Sequence, residues 1–185
     1  LNRYTLKEIL PQVELLTKNY YCKKFPPQNM FVTDKADGLR CVVIVKNSEL
    51  IIVNNQIQSP CHKLDIDPSI HIIADAELVD DIAYVFDVIK LNDINLVKQG
   101  YEQRHSYIPE VISLINHANV QGKKIYALSD DLENSIDLAL KDDGLYERDG
   151  LIFIDGGQSY SNTKSLKWKP LKHTTIDFLA KKYNY

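Results

Sequence analysis

Five short segments place charged or aromatic side chains at spacings that could do chemistry. In Lys35-Ala36-Asp37-Gly38-Leu39-Arg40, a lysine precedes a tight turn that calls for glycine. Rigid β-forming runs flank it; the bland alternative is a charged hairpin turn. In Ile73-Ala74-Asp75-Ala76-Glu77, two acids two positions apart share one face of a strand. Buried carboxylates are costly unless cations, hydroxyls or a metal face them. Tyr84-Val85-Phe86-Asp87-Val88 sets an aromatic amid buried strand, where Phe86 offers a stacking face for a base, although core packing is the commoner use of such a ring. Asp149-Gly150-Leu151-Ile152-Phe153 puts an acid at the mouth of an apolar strand. In Leu166-Lys167-Trp168-Lys169-Pro170, alternation sends both lysines to one face, and two ammonium groups projecting together suit a phosphate chain. No P-loop and no G-x-G-x-x-G is present, so phosphate handling falls to side chains rather than to a glycine nest.

The elements that must position these residues follow from hydrophobic period. Residues 5–18 have helical apolar spacing, with Pro11 in the first turn of a helix through Leu15 and Leu16. Residues 23–29 form a loop around Pro26-Pro27. Then the period becomes strand-like: 30–33, a hairpin of 39–45 with 50–53, and a second hairpin of 70–79 with 82–89 around Asp80-Asp81. The near-continuous apolar character of that second pair predicts strands buried on both faces. A helix lies within 96–117, with Val111, Ile112, Leu114 and Ile115 as its stripe. Residues 124–128 form a strand, and Ser129 caps a helix through Leu140. Residues 151–154 and 166–168 complete the strands. Hairpins with interspersed helices argue an α+β fold, with no internal repeat and no dividing linker.

The chain has 185 residues, 25% of them charged and 44% hydrophobic. That suits one globular domain with its own core and disfavours disorder. A net charge of -3 disfavours a nucleic-acid binder that is basic over its whole surface. The charge is uneven, however. Residues 130–149 hold eight acids and two bases, while residues 164–185 hold six lysines and one acid. Cys22, Cys41 and Cys61 are odd in number and lack C-x-x-C spacing, so they read as small apolar residues in a reducing compartment. The five histidines form no metal-spaced pair, and no apolar run approaches the ~20 residues of a membrane span. No signal peptide opens the chain, which begins Leu1-Asn2-Arg3-Tyr4 without an initiator Met; it reads as a domain excised from a longer polypeptide.

In this order and spacing, the five segments resemble the covalent nucleotidyltransferase superfamily of mRNA capping guanylyltransferases and polynucleotide ligases. The resemblance runs from Lys35 to Phe178. Asp149-Gly150-Leu151-Ile152-Phe153 is similar to the capping branch, where ligases more often begin with Glu. So are Leu166-Lys167-Trp168-Lys169-Pro170, the following Thr174-Thr175-Ile176-Asp177-Phe178, and Lys124-Ile125-Tyr126. The general texture is most like the capping proteins of large DNA viruses. The implied architecture is an α+β nucleotidyltransferase domain over residues 1–185, ATP-grasp-like and of the DNA ligase–capping enzyme type. It has antiparallel sheets flanked by helices and lacks the oligonucleotide-binding-fold (OB-fold) domain.

By resemblance, Lys35 is the nucleophile that takes GMP from GTP, with Lys167 and Lys169 as further catalytic groups beside the phosphates. GMP would pass to a 5′-diphosphate RNA end. Arg40 and Glu77 match positions that bind ribose hydroxyls. Phe86 matches the position that stacks on guanine, and Lys124 the one that meets guanine O6. Asp149 matches the position that helps hold Mg2+ or Mn2+. Asp37, Asp75 and Asp87 are assigned supporting work behind these groups. The expected partners are GTP, the RNA end, and flanking triphosphatase, OB-fold and methyltransferase modules, with no membrane. The expected setting is intracellular, at a cytoplasmic replication site or in the virion if viral. One departure is Ile52-Val53-Asn54-Asn55-Gln56, where many capping enzymes carry an Arg after an Asp. The competing expectations are a ligase adenylation domain labelled from ATP and a binding module that has lost the chemistry. Without its lid, the fragment is expected to self-guanylylate poorly.

Overall fold

The computed structural model describes residues 10–16, 29–55, 59–128, 132–141, 145–163 and 165–170. In chain order the strands are β1 (Val13–Leu15), β2 (Met30–Ala36), β3 (Leu39–Lys46), β4 (Glu49–Asn54), β5 (His62–Lys63), β6 (Ile72–Val79), β7 (Ile82–Leu91), β8 (Ile94–Asn95), β9 (Val120–Gly122), β10 (Ile125–Ala127), β11 (Arg148–Asp155) and β12 (Ser165–Trp168). The helices are α1 (Tyr101–Ser106), α2 (Ile108–Ile115) and α3 (Leu132–Leu140), and Tyr160–Asn162 forms a 3-10 turn.

The strands make two sheets. The smaller runs β1-β12-β11-β2-β10, and the larger runs β5-β4-β3-β6-β7-β8 with β9 also on β7. The hairpins expected at β3/β4 and β6/β7 are present and antiparallel. Both turn by two residues at positive φ, Asn47-Ser48 and Asp80-Asp81, which suits the right-handed strand twist. Two pairs are parallel, β1 with β12 and β7 with β9.

The apolar character of β3, β6 and β7 has the expected consequence. One face, with Val43, Ala74, Val85 and Val88, packs against Ile108, Val111 and Ile115 of α2. The other face gives Val42, Ile44, Ile73 and Ile89 to a second cluster with Leu10 and Tyr160. The smaller sheet is likewise covered on one face by α3, through Val32, Phe153, Leu166 and Ala139. Its Phe31 and Ile154 meet Tyr101 of α1.

The helix expected over 5–18 is a strand where it is described. Val13–Leu15 pairs with β12, and Leu16 N–H donates to the Lys167 carbonyl at 2.9 Å. The open edge of β12 offers a row of backbone partners, and that pairing outweighs a helical period interrupted by Pro11. The 96–117 stretch splits in two at Tyr107, which caps α1 and begins α2. Ser129, the Thr174–Phe178 run and Lys164, Lys172, Lys181 and Lys182 lie outside the described residues.

Candidate functional site

A cavity of about 220 Å³ opens between the two sheets. The larger sheet lines it with Arg40, Glu77 and Phe86, and the smaller with Lys35, Ile152 and Lys167. The turn between β2 and β3 is what brings Lys35 and Arg40 to the same space. There, a Cβ on Gly38 would lie 2.6 Å from Val79 Cγ2 and 2.7 Å from the Leu78 carbonyl, so no larger residue fits.

Lys35 Nζ is 2.7 Å from Asp149 Oδ1, and Lys169 Nζ donates to Oδ2 of the same carboxylate. A bulge produces this arrangement: the β2/β11 register shifts between Arg148 and Leu151. Gly150 at its centre has φ +153° and lies against the Trp168 carbonyl. Burial pushes the Asp149 carboxyl up, but hydrogen bonds and charge from Lys169 and Lys35 bring it below the usual carboxylate range. Glu77 behaves oppositely. Its burial raises the carboxyl, and the charges of Lys123, Lys35 and Arg40 only partly offset that.

Arg40 is tied down from below. Its Nε donates to Asp75 Oδ1 at 3.0 Å, Nη2 donates to Oδ2, and Nη1 donates to the Pro11 carbonyl. Its guanidinium carbon lies 5.6 Å from the Phe86 ring centroid. Asp75 is fully buried, and a buried strand acid needs a partner, which Arg40 on the neighbouring strand supplies.

Of the residues singled out in the sequence, Lys35, Arg40, Glu77, Phe86 and Lys167 line the cavity, and Asp149 and Lys169 join it through Lys35. Lys124 does not. It is exposed, and its backbone carbonyl is taken by Thr33 Oγ1. Lys123 lines the cavity instead, because its N–H donates to the Val85 carbonyl at the end of β9 and turns the side chain inward. Lys123 Nζ is 2.9 Å from Asp34 Oδ1. Tyr146 OH donates to the same carboxylate at 2.9 Å, with Arg148 3.7 Å away. Asp34, Lys123, Tyr146 and Arg148 were not picked out by spacing. An acid in the apolar run of β2 was the available signal, since such an acid demands partners.

Among the described residues no three His, Cys, Asp or Glu side chains cluster to hold a metal. Among the described residues the carboxylate paired with Lys35 is that of Asp149, while Glu77 lines the opposite wall. Mg2+ is commonly bound by one or two carboxylates plus substrate phosphates and waters, so the site fits an ion that arrives with a nucleotide rather than a resident cage.

The fold is that of the nucleotidyltransferase domain of DNA ligases. The ligase domain of DNA ligase D from M. tuberculosis superposes with a TM-score of 0.61 at 12% identity, covering 87% of this chain and 59% of that one. In sequence, the chain is a homologue of the mRNA-capping enzymes. It is 34% identical over 189 aligned positions to the mRNA-capping enzyme of African swine fever virus (strain Badajoz 1971 Vero-adapted), across 97% of this chain and 22% of that protein. The mRNA-capping enzyme of Caenorhabditis elegans is 25% identical over 193 positions, across 83% of this chain and 30% of its own length. The chain thus spans about a fifth of the viral relatives it matches. No family model matches the sequence.

Proposed function

We propose that this chain is the GTP-binding guanylyltransferase domain of an mRNA-capping protein. The observation that carries the reading is Lys35 paired with Asp149, whose carboxylate also holds Lys169, at a cavity that Phe86, Arg40, Glu77 and Lys167 line. In the first step Lys35 Nζ attacks the α-phosphorus of GTP. The N–P bond forms, the bond to the β-phosphate oxygen breaks, pyrophosphate leaves, and the amine gives up a proton. In the second step a terminal phosphate oxygen of a 5′-diphosphate RNA attacks the same phosphorus. The N–P bond breaks, lysine is restored, and a 5′-5′ triphosphate cap results.

An amine has to leave its ion pair before it can act as a nucleophile. The Asp149 carboxylate therefore has to turn from Lys35 when the phosphates arrive. Asp149 is the residue that would hold a Mg2+ or Mn2+ ion, whose chemistry is to neutralise phosphate charge. Lys167 and Lys169 add fixed positive charge where negative charge develops on the leaving group. Phe86 supplies the stacking face and Arg40 and Glu77 meet the ribose hydroxyls. Lys123 takes the base-facing place expected of Lys124. The RNA end and the triphosphatase, OB-fold and methyltransferase modules belong to the same proposal, as does a cytoplasmic viral replication site or virion. No helix among the described residues is long and apolar enough to cross a membrane.

The test is covalent labelling of the complete polypeptide with α-labelled GTP and, separately, ATP. Label from GTP that is absent in Lys35→Ala is the expected result. Label from ATP alone assigns the chain to ligase chemistry instead, and no label from either leaves a binding module.

A further inference from the structure

We propose that Tyr160, acting through Asp75, is a positioning residue for Arg40 and sets how firmly the site grips the sugar of its nucleotide. The inference rests on the reading above, in which Arg40 meets ribose hydroxyls.

Tyr160 belongs to none of the five chemical segments. It sits in the 3-10 turn between β11 and β12, on the smaller-sheet side of the cavity. Its hydroxyl donates to Asp75 Oδ2 at 2.8 Å. Asp75 belongs to β6 in the larger sheet, is wholly buried, and spends its other bonds on Arg40. The Tyr160 bond therefore crosses from one sheet to the other beneath the cavity. It fixes, from one wall, the carboxylate that aims the cation of the opposite wall.

Tyr160 is itself held in place. Its N–H donates to the Val97 carbonyl at 2.9 Å, and its ring packs in the cluster with Leu10 and Val42. The guanidinium carbon of Arg104 lies 5.5 Å from that ring. Arg104 is fully buried, grips Asp87 through two bonds of 2.9 and 2.8 Å, and donates to the Gln158 carbonyl at 2.8 Å and to Thr163 Oγ1 at 3.2 Å. Asp87 adjoins Phe86, and Tyr101 OH donates to the Phe86 carbonyl at 2.9 Å. Arg104 thus anchors the turn that carries Tyr160 to the strand that carries the stacking ring. Removal of the Tyr160 hydroxyl leaves all of this packing intact and frees only Asp75 to shift, and Arg40 with it.

The discriminating experiment compares GTP with its 2′,3′-dideoxy analogue in covalent labelling of the complete polypeptide. Tyr160→Phe is expected to raise the apparent KM for GTP about tenfold, the order expected for one hydrogen bond to a charged group. The maximal rate should stay within about twofold, and the KM for the analogue, which has no hydroxyls to grip, should not move. Asp75→Asn, which keeps the shape and weakens both bonds, should erode the same preference further. Tyr160→Phe combined with Arg40→Gln should be no worse than Arg40→Gln alone. An unchanged KM for GTP, or equal losses for both nucleotides, would reduce Tyr160 to a packing residue and overturn the proposal while the functional reading stands. Absence of any label on the parent protein would overturn both.

Discussion

Replacing Gly150 by alanine should disable the site while leaving most of the fold in place. The added Cβ would lie 2.0 Å from the Trp168 carbonyl oxygen and 3.1 Å from Lys169 Cα. Ordinary C···O contacts are about 3.3–3.6 Å, so β12 must retreat from β11 by more than about 1 Å. A backbone at φ +153° also suits few L residues, which adds on the order of 1–3 kcal/mol of strain. The retreat happens where it matters, because Lys167 rides on β12, Lys169 follows it directly, and Asp149 lies in the bulge beside Gly150. A displacement of that size among reacting groups can cost about 100-fold in rate. The assay is the initial rate of label transfer from GTP, read beside the unfolding transition. Gly157→Ala is the internal control. Its nearest neighbour to an added Cβ is Asp155 Oδ1 at 3.5 Å, an ordinary contact, and it should label at the parental rate. Gly150→Ala labelling within about threefold of the parent would refute the argument, because Lys167 and Lys169 would then not depend on this close approach.

Three further outcomes follow from the same geometry. Glu77→Gln should stabilise the fold at pH 8 and weaken GTP labelling. Burial raises the Glu77 carboxyl above its unfolded range, so its charged form is a cost that disappears as pH falls through the folded value; a melting point that drops at pH 8, or a gain that persists at pH 3, would contradict this. Lys123→Met should slow labelling by at least about tenfold while Lys124→Met changes it little, since Lys123 lines the cavity and Lys124 faces out; the reverse order would restore the sequence-based assignment. Thiol alkylation of the folded chain at pH 8 should modify exposed Cys61 and spare Cys41, whose burial pushes the thiol up to about 12. Modification of Cys41 at the same rate as Cys61 would mean that the β3 region opens freely.

The residues that sequence alone made legible are those whose meaning is local. Asp75 and Glu77 stand two apart in β6, and alternation suffices to put them on one face. Gly38 marks the tight turn after Lys35, where an added Cβ would meet Val79 and the Leu78 carbonyl. What was not legible depends on partners far away in the chain. Val13–Leu15 carries a helical pattern, yet its backbone pairs with a strand about 150 residues later. Lys123 and Lys124 are indistinguishable in sequence, and the bond from Lys123 N–H to Val85 decides which faces in. Tyr160 meets Asp75 across 85 positions, and Arg104 meets Thr163 across 59. No periodicity reports such pairs; only the juxtaposition of the two sheets does.

That juxtaposition also explains why buried charge is concentrated here. Asp34, Asp75 and Asp87 are buried strand acids, and each is held by a cation: Lys123, Arg40 and Arg104 in turn. For stability alone, well-packed apolar residues would serve as well or better, since two buried ions lose more hydration than their attraction reliably returns. The pairs have a different consequence. They fix cations in the walls of the cavity, where a flexible solvated lysine could not be held. Four cations, Lys35, Arg40, Lys123 and Lys167, line the cavity with four acids, Asp34, Asp75, Glu77 and Asp87, and the Lys169–Asp149 pair adjoins them. The site is therefore balanced in charge, with each buried acid neutralised by a fixed cation, inside a chain whose net charge is -3. A polyanion entering it meets charge already oriented, with little left to reorganise when negative charge shifts during phosphoryl transfer.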